Sequence, residues 1–252
     1  MELSNRQIKW IRSLHRKKFR TQEGFFIIEG VKILDDVARS PLRIELLVLT
    51  TENQNLHKVY PGLKTFYTDG RSFSRISAQS TSSGVLAVVR IPDNSPVPQN
   101  FGDLTLMLDS INDPGNLGTI IRTADWFGIQ NIICSEDTVD VYNPKTIQST
   151  MGSIARVNVF YENLPGMLGD IGTQFTVLGL FMQGEPVQGQ KSNKKTIIIT
   201  GNEAKGISKS VQQYIHKRVS IGGHSNKKAN GPESLNASIA TAIACYELTK
   251  SE

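Results

Sequence analysis

The segment LTLMLDSINDPGNLGTIIRTADWFG, residues 104–128, decides the fold class. The apolar run Leu104 to Leu108, closed by Asp109, is too short for a helix and reads as a buried strand. A cluster of Asn, Asp, Pro and Gly over residues 112–116 marks a turn, after which Ile120, Ala124 and Phe127 recur at helical spacing. Strand, short turn and helix are the first half of a βαβ unit. Further runs at Ile132–Ser135, Ile154–Phe160, Thr176–Phe181, Thr196–Thr200 and Arg218–Ile221, and a last helix from about Ser234, continue the alternation. The pattern predicts an α/β fold built on a mostly parallel sheet covered by helices on both faces.

Upstream, the stretch PDNSPVPQNFG (residues 92–102) has neither helical nor strand period and separates segments of different charge. We therefore divide the chain into a domain over 1–95, a linker over 96–102 and a second domain over 103–252. The first reads as a small α/β unit: a helix over about 4–18, a strand Phe25–Glu29, a helix Gly30–Ala38, and strands Ile44–Leu49 and Gly84–Arg90. The net charge of the chain is +5, and the whole excess falls within residues 1–100. Arg6, Lys9, Arg12, Arg16, Lys17, Lys18 and Arg20 follow one another with no acidic residue between, a positive field suited to RNA or DNA. A solvated basic helix, buried through Ile8, Ile11 and Leu14, accounts for the same residues without a ligand.

With 252 residues, 38% hydrophobic and 20% charged, the chain is long enough for a real core and ordinary in composition, which excludes a disulfide miniprotein and wholesale disorder. No apolar run approaches the length of a membrane span, and the N-terminal MELSNRQIKWIRSLHRKK lacks the apolar core of a signal peptide. Cys134 and Cys245 sit in apolar surroundings and read as reduced core residues, so a cytoplasmic enzyme or binding protein is expected. His15, His57, His216 and His224 lack metal-ligand spacing, and no zinc or other metal site is expected.

Ligands of open α/β sheets bind beyond the carboxyl ends of strands, and three loops there are unusual. In the first, Arg122 lies two residues from Ile120 and so projects away from the buried stripe. Placed near the start of a helix beginning at about Leu117, a cation is unfavourable unless an anionic ligand is present. The second, ITGNEAKGIS (199–208), has the Gly201 and Gly206 spacing of a phosphate-binding P-loop, but Lys205 precedes the second glycine where the motif needs it to follow. A nucleotide-hydrolysing protein is thereby weakened, and Glu203 also reads as a simple first-turn helix acid. In the third, ESLNASIATAIACYEL (233–248), Ser234 or Asn236 can cap a helix whose small residues Ala237, Ala240 and Ala244 favour close packing on another element or subunit.

Taken in order, DxxxDPGNLGxIxRxAxxFG, GNExxGIS and SLNASIA resemble the SpoU-type RNA 2'-O-ribose methyltransferases of the SPOUT superfamily. The resemblance covers residues 104–250 and extends more loosely to the basic N-terminal domain, which is similar to the family's ribosomal-protein-like substrate-binding domain. It implies a deep C-terminal trefoil knot, a homodimer and S-adenosylmethionine (AdoMet) as cofactor, bound around Gly201, Ile221 and Leu235 largely through backbone groups. It places Asn116, Arg122, Glu203, Ser234 and Asn236 in the active site, and RNA, ribosomal in preference to transfer RNA, as the partner. Residues 221–233 depart from the family pattern: no proline follows Ile221 and the segment is longer, with Lys227 and Lys228 either an RNA-contacting loop or a tolerated surface loop.

The chemistry so implied needs a weak nucleophile, a ribose 2'-hydroxyl, to be aligned with a sulfonium methyl and to lose its proton. Arg122 is the family's proposed base, yet a guanidinium with a pKa above about 12 resists deprotonation. We expect it to orient the 2'-hydroxyl and an adjacent phosphate, with a transiently neutral form as the alternative. Asn116 and Asn236 are expected to position the ribose or Arg122, Glu203 to hold the loop and Arg122, and Ser234 to add a hydrogen bond. The rival from another class is a noncatalytic RNA-binding protein that keeps the fold.

Overall fold

The computed structural model describes residues 1–93, 97, 101–171, 174–190, 195–222 and 234–250. The chain forms two compact units, residues 1–96 with 140–156 and residues 97–139 with 157–252.

The first unit contains α1 (Asn5–Ser13), α2 (Lys17–Glu23), β1 (Phe25–Glu29), α3 (Val31–Ala38), β2 (Ile44–Thr50), β3 (Thr65–Thr68), α4 (Gly70–Ser74) and β4 (Val85–Arg90). Its strands run in the order β1-β4-β2-β3, with β4 antiparallel to both neighbours and β3 parallel to β2. A capping box between Ser4 and Gln7 starts α1, and its buried stripe of Ile8 and Ile11, continued by Leu14, packs on Leu46, Val48, Leu86 and Val88. Each such fully buried aliphatic side chain contributes roughly 1.5–3 kcal/mol.

The single helix expected over 4–18 is two. The chain turns at Leu14 to Arg16, where Arg16 is extended (φ −101°, ψ 130°). Three contacts hold this corner: Leu14 is fully buried, His15 Nε2 donates to the Ile76 carbonyl at 2.8 Å, and Arg20 Nη1 donates to the Leu14 carbonyl at 2.9 Å. The last bond satisfies a carbonyl left open by the end of α1.

The chain continues through β5 (Leu104–Asp109), α5 (Pro114–Trp126), β6 (Asn131–Ser135), α6 (Pro144–Thr150), β7 (Asn158–Glu162), α7 (Leu164–Asp170), β8 (Phe175–Pro186), β9 (Lys195–Gly201), α8 (Lys209–Gln212), β10 (Lys217–Ser220) and α9 (Ala237–Thr249). The order in the second sheet is β10-β8-β9-β5-β6-β7, and every pairing is parallel. Alternation sorts the central strands: Met107, Ile133, Ile197 and Ile199 pack with Leu164 and Leu168 of α7 and Val211 of α8. On the opposite side of β9, Thr200 hydrogen-bonds Thr241 of α9 at 2.8 Å. Helices thus cover both faces, as the alternating pattern predicts.

Residues 140–156, α6 included, pack with the first unit although they follow the linker expected at 96–102. Long-range side-chain contacts hold them there: Asp140 pairs with Arg20, the Tyr142 ring lies 4.7 Å from that of Phe26, and Arg156 pairs with Asp36. The strand expected from Ile154 begins at Asn158 because Ser153–Ala155 form a helical turn. Both α6 and α7 escape the apolar periodicity but carry start signals, Asn143-Pro144 and Asn163 followed by Pro165, and each Asn side chain caps its helix. Cys134 and Cys245 are buried free thiols, and burial pushes Cys245 up to about 12. Among the described residues no helix is long and apolar enough to cross a membrane.

Candidate active site

Strands β5 and β9 are paired so that Asp109 stands opposite Gly201, which brings the loops following them side by side at the carboxyl edge of the sheet. Asp109 is buried and accepts from the Ser208 amide at 2.6 Å, closing the far end of the β9 loop onto β5. Ser110 adopts a left-handed conformation (φ 60°), uncommon without glycine and held by three bonds. Its amide donates to Ser135 Oγ (2.8 Å), its hydroxyl to Asp137 (2.6 Å), and its carbonyl accepts from Asn202 Nδ2 (2.8 Å). The hydroxyls of Ser110 and Ser135 hold the Asp137 carboxyl below its ordinary value. Asn202 Oδ1 in turn accepts from the amides of Ala204 and Lys205, so one buried asparagine shapes the loop that carries Glu203. The sequence reading assigns no role to Asp109, Ser110, Asn202 or Ser208. The signal for them is a polar residue at the end of an aliphatic strand, where burial demands partners.

Gly201 answers to a different constraint. A Cβ there would lie 2.3 Å from Ile207 N and 2.4 Å from Gly206 C, both backbone atoms. Gly201→Ala must therefore force the loop off β9. We expect a loss of about 1–3 kcal/mol in thermal or denaturant unfolding, together with weakened AdoMet binding. Wild-type values for both would show that the loop gives way freely.

Three motifs distant in the chain meet at Asn116. Its Nδ2 donates to Glu203 Oε1 at 2.7 Å, and its Oδ1 accepts from Asn236 Nδ2 at 2.9 Å. Asn236 Oδ1 then accepts from the amides of Ser238 and Ile239, capping α9. The direction of this chain follows from one charge. An ionised carboxylate only accepts, so the Asn116 amide must turn its nitrogen to Glu203 and its oxygen to Asn236. Asn236 is left with its own oxygen free for the helix. Asn116 is buried on the first turn of α5, itself capped by Asp113, while Glu203 and Asn236 are exposed. The second oxygen of Glu203 has no hydrogen-bond partner among the described residues.

Of the other proposed catalytic residues, Ser234 is exposed beside Asn236, with no described hydrogen bond, and the cap of α9 is Asn236. Arg122 is exposed and bonds none of Asn116, Glu203 or Asn236. Six residues along α5 from Asn116, it stands about 9 Å further up the axis and on another side. α5 starts at Pro114, so Arg122 lies past the middle of the helix and outside its first turn, and the unfavourable dipole interaction expected for it does not arise. Ile221 directly follows β10 and Leu235 precedes the cap of α9, and the backbone groups of neither engage a described residue. His224, Lys227 and Lys228 lie outside the described residues. On the first unit, Arg6, Lys9, Arg12, Arg16, Lys17 and Lys18 are exposed. Arg20 is not: it is 3% exposed, with Nε and Nη2 both bonded to Asp140, so it is withdrawn from the candidate RNA contacts.

Residues 103–246 match the model of the SpoU rRNA Methylase family. The chain belongs to that family. Residues 5–87 match the MRM3-like substrate binding domain. The SpoU chain is 28% identical to the 23S rRNA (guanosine(2553)-2'-O)-methyltransferase RlmP of Bacillus subtilis, over 97% of this chain and 96% of that one. A Porphyromonas gingivalis structure described under the TrmH family of RNA methyltransferases superposes with a TM-score of 0.85 at 35% identity, covering 98% of each chain. The SpoU methyltransferase AviRb of Streptomyces viridochromogenes, solved with AdoMet, gives a TM-score of 0.81 at 25% identity, covering 96% of this chain and 97% of that one.

Proposed function

We propose that the protein transfers a methyl group from AdoMet to a ribose 2'-hydroxyl of ribosomal RNA. The observation that carries this reading is the Glu203–Asn116–Asn236 chain, which unites the three SpoU motifs within hydrogen-bond distance. The names of RlmP and AviRb and the match to a substrate-binding domain support RNA, and ribosomal RNA in particular. The backbone groups of Ile221 and Leu235, which engage no described residue, and the tight glycine corner at Gly201 suit a cofactor held mostly by main chain. When bound, AdoMet supplies a methyl on a positively charged sulfur. This chain's part is to orient the acceptor: Arg122 offers a fork of donors to the 2'-hydroxyl and a neighbouring phosphate, Glu203 retains an open acceptor oxygen, and Asn116 and Asn236 fix Glu203. The cytoplasm is the expected compartment. The knot belongs to this proposal too, since the path from β10 to α9 crosses residues outside those described.

The direct test is transfer of labelled methyl from AdoMet to unmodified 23S rRNA and, separately, transfer RNA, followed by alkaline hydrolysis. Label in alkali-resistant dinucleotides from the ribosomal pool is expected. Label only in transfer RNA would replace the substrate, and AdoMet binding without transfer to either would favour the binding-only rival.

We further propose a homodimer. Trp126 at the end of α5 is 84% exposed, and Leu235, Ile239 and Tyr246 on and before α9 are each at least half exposed. Trp126, Ile239 and Tyr246 sit on the helix that carries Arg122 and the helix that Asn236 caps, with Leu235 just ahead of that cap, so a second copy seated there would border the site. Ile239→Glu is expected to convert a sedimenting dimer to monomer and to lower methyl transfer with it; a monomeric wild type at micromolar concentration would end the proposal.

A further inference from the structure

Within the first unit, a cleft of about 370 Å³ opens between the α1–α2 corner, β1 and α6, a volume in the range of small-molecule sites. Ile27, Pro144 and Ile147 give it apolar wall; His15, Gln79 and Gln148 give it polar wall. Gln79 Nε2 donates to Gln148 Oε1 at 2.9 Å. Two primary amides joined by one bond leave one amide oxygen and one amide nitrogen unused, and this holds whichever way round the pair is assigned. Neither group has another side-chain partner among the described residues. An acceptor and a donor carried by two bonded side chains of one cleft wall suit the edge of a nucleobase, which offers both kinds of group.

Glu29 and Asn143 also line the cleft, and their side-chain oxygens are engaged in bonds that shape it. Glu29 is buried and accepts from Ser77 Oγ at 2.5 Å and the Ala78 amide at 2.7 Å, bracing the turn that presents Gln79. His15 donates its Nε2 proton to the Ile76 carbonyl, which fixes the imidazole plane, and Nδ1 has no partner among the described residues. A fixed imidazole is a stacking surface of the kind used for unpaired bases. The charge around it suits a polyanion: Arg12 and Arg16, both exposed, neighbour His15 in the chain, and Lys145 lines the cleft.

We propose that this cleft receives one unstacked base of the substrate RNA, read by the Gln79–Gln148 amide pair and laid against His15. The inference rests on the methyltransferase reading above and specifies where, away from the methyl-transfer site, the RNA is recognised. Replacing both amides, Gln79→Leu with Gln148→Leu, removes the two hydrogen bonds while keeping side-chain size. It should raise KM for unmodified 23S rRNA about tenfold, with kcat, AdoMet affinity and thermal unfolding unchanged. Gln148→Glu keeps the bond from Gln79 but exchanges the free donor for an anionic acceptor, and it should weaken filter retention of the same RNA at least as much. In 4-thiouridine-substituted 23S rRNA, photo-crosslinks should fall on residues 76–79 or 143–148. Folded variants with wild-type KM and wild-type retention overturn the proposal and point to an occupant other than RNA, as do crosslinks confined to other segments. A wild type that retains 23S rRNA yet transfers no methyl refutes the enzymatic reading instead, and retention by the variants then decides the cleft alone.

Discussion

Arg122→Lys is expected to lower kcat for methyl transfer by about 10²- to 10⁴-fold, the range of a lost general acid–base or proton-orienting group, while AdoMet affinity stays at the wild-type value. The split follows from geometry. Arg122 is exposed on the third turn of α5, bonds no described residue, and is remote from the Glu203–Asn116–Asn236 chain that shapes the loops, so its removal costs the fold nothing. Lysine keeps the charge but loses the planar fork that can hold a hydroxyl and a phosphate oxygen together. Calorimetric titration of AdoMet beside single-turnover transfer to 23S rRNA measures both halves. Undiminished turnover removes Arg122 from the chemistry; weakened AdoMet binding moves it to the cofactor.

The second large effect is on stability. Arg20→Ala should cost about 3–5 kcal/mol in denaturant unfolding, since it strands a carboxylate paired inside the first unit. Asp140 loses two donors, and the Leu14 carbonyl loses its bond at the corner between α1 and α2. Arg20→Met combined with Asp140→Leu should recover most of the loss, because a hydrophobic pair of similar volume carries no desolvation cost. RNA affinity per folded molecule should be unchanged in both. Lys17→Ala should behave in the opposite manner, leaving stability alone and reducing the salt dependence of RNA binding by about one charge. A cost below 1 kcal/mol for Arg20→Ala would show that the ion pair does not hold the corner.

Arg20 also shows where sequence reading stops. It sits in an unbroken basic series, and nothing local distinguishes it from Lys17 or Lys18. Its partner is 120 residues away. The parallel sheet was legible because aliphatic runs such as Leu104 to Leu108 and Thr196 to Thr200 need no distant information to be read as buried strands. The gathering of Asn116, Glu203 and Asn236 was legible only through resemblance, since spacing along a chain does not specify which loops meet. α5 begins one turn before the expected Leu117 because Pro114, which reads as a turn residue, is well suited to the first position of a helix. Asn202 and Asp109 carry the signal of a polar residue ending an aliphatic strand, but their bonds to the Ser110 carbonyl and the Ser208 amide join different loops, and spacing does not name those partners.

The return of residues 140–156 into the first unit makes that unit discontinuous in the chain. A fragment ending in the 96–102 linker lacks Asp140, Tyr142 and α6, so it leaves Arg20 with no counter-ion and Phe26 with no aromatic neighbour. Such a fragment should fold poorly by itself. Protease nicking in the linker should instead yield two pieces that travel together until denatured. For the same reason, residues 1–96 exchanged alone between relatives should lose these contacts: a stable chimera has to carry residues 140–156 with them.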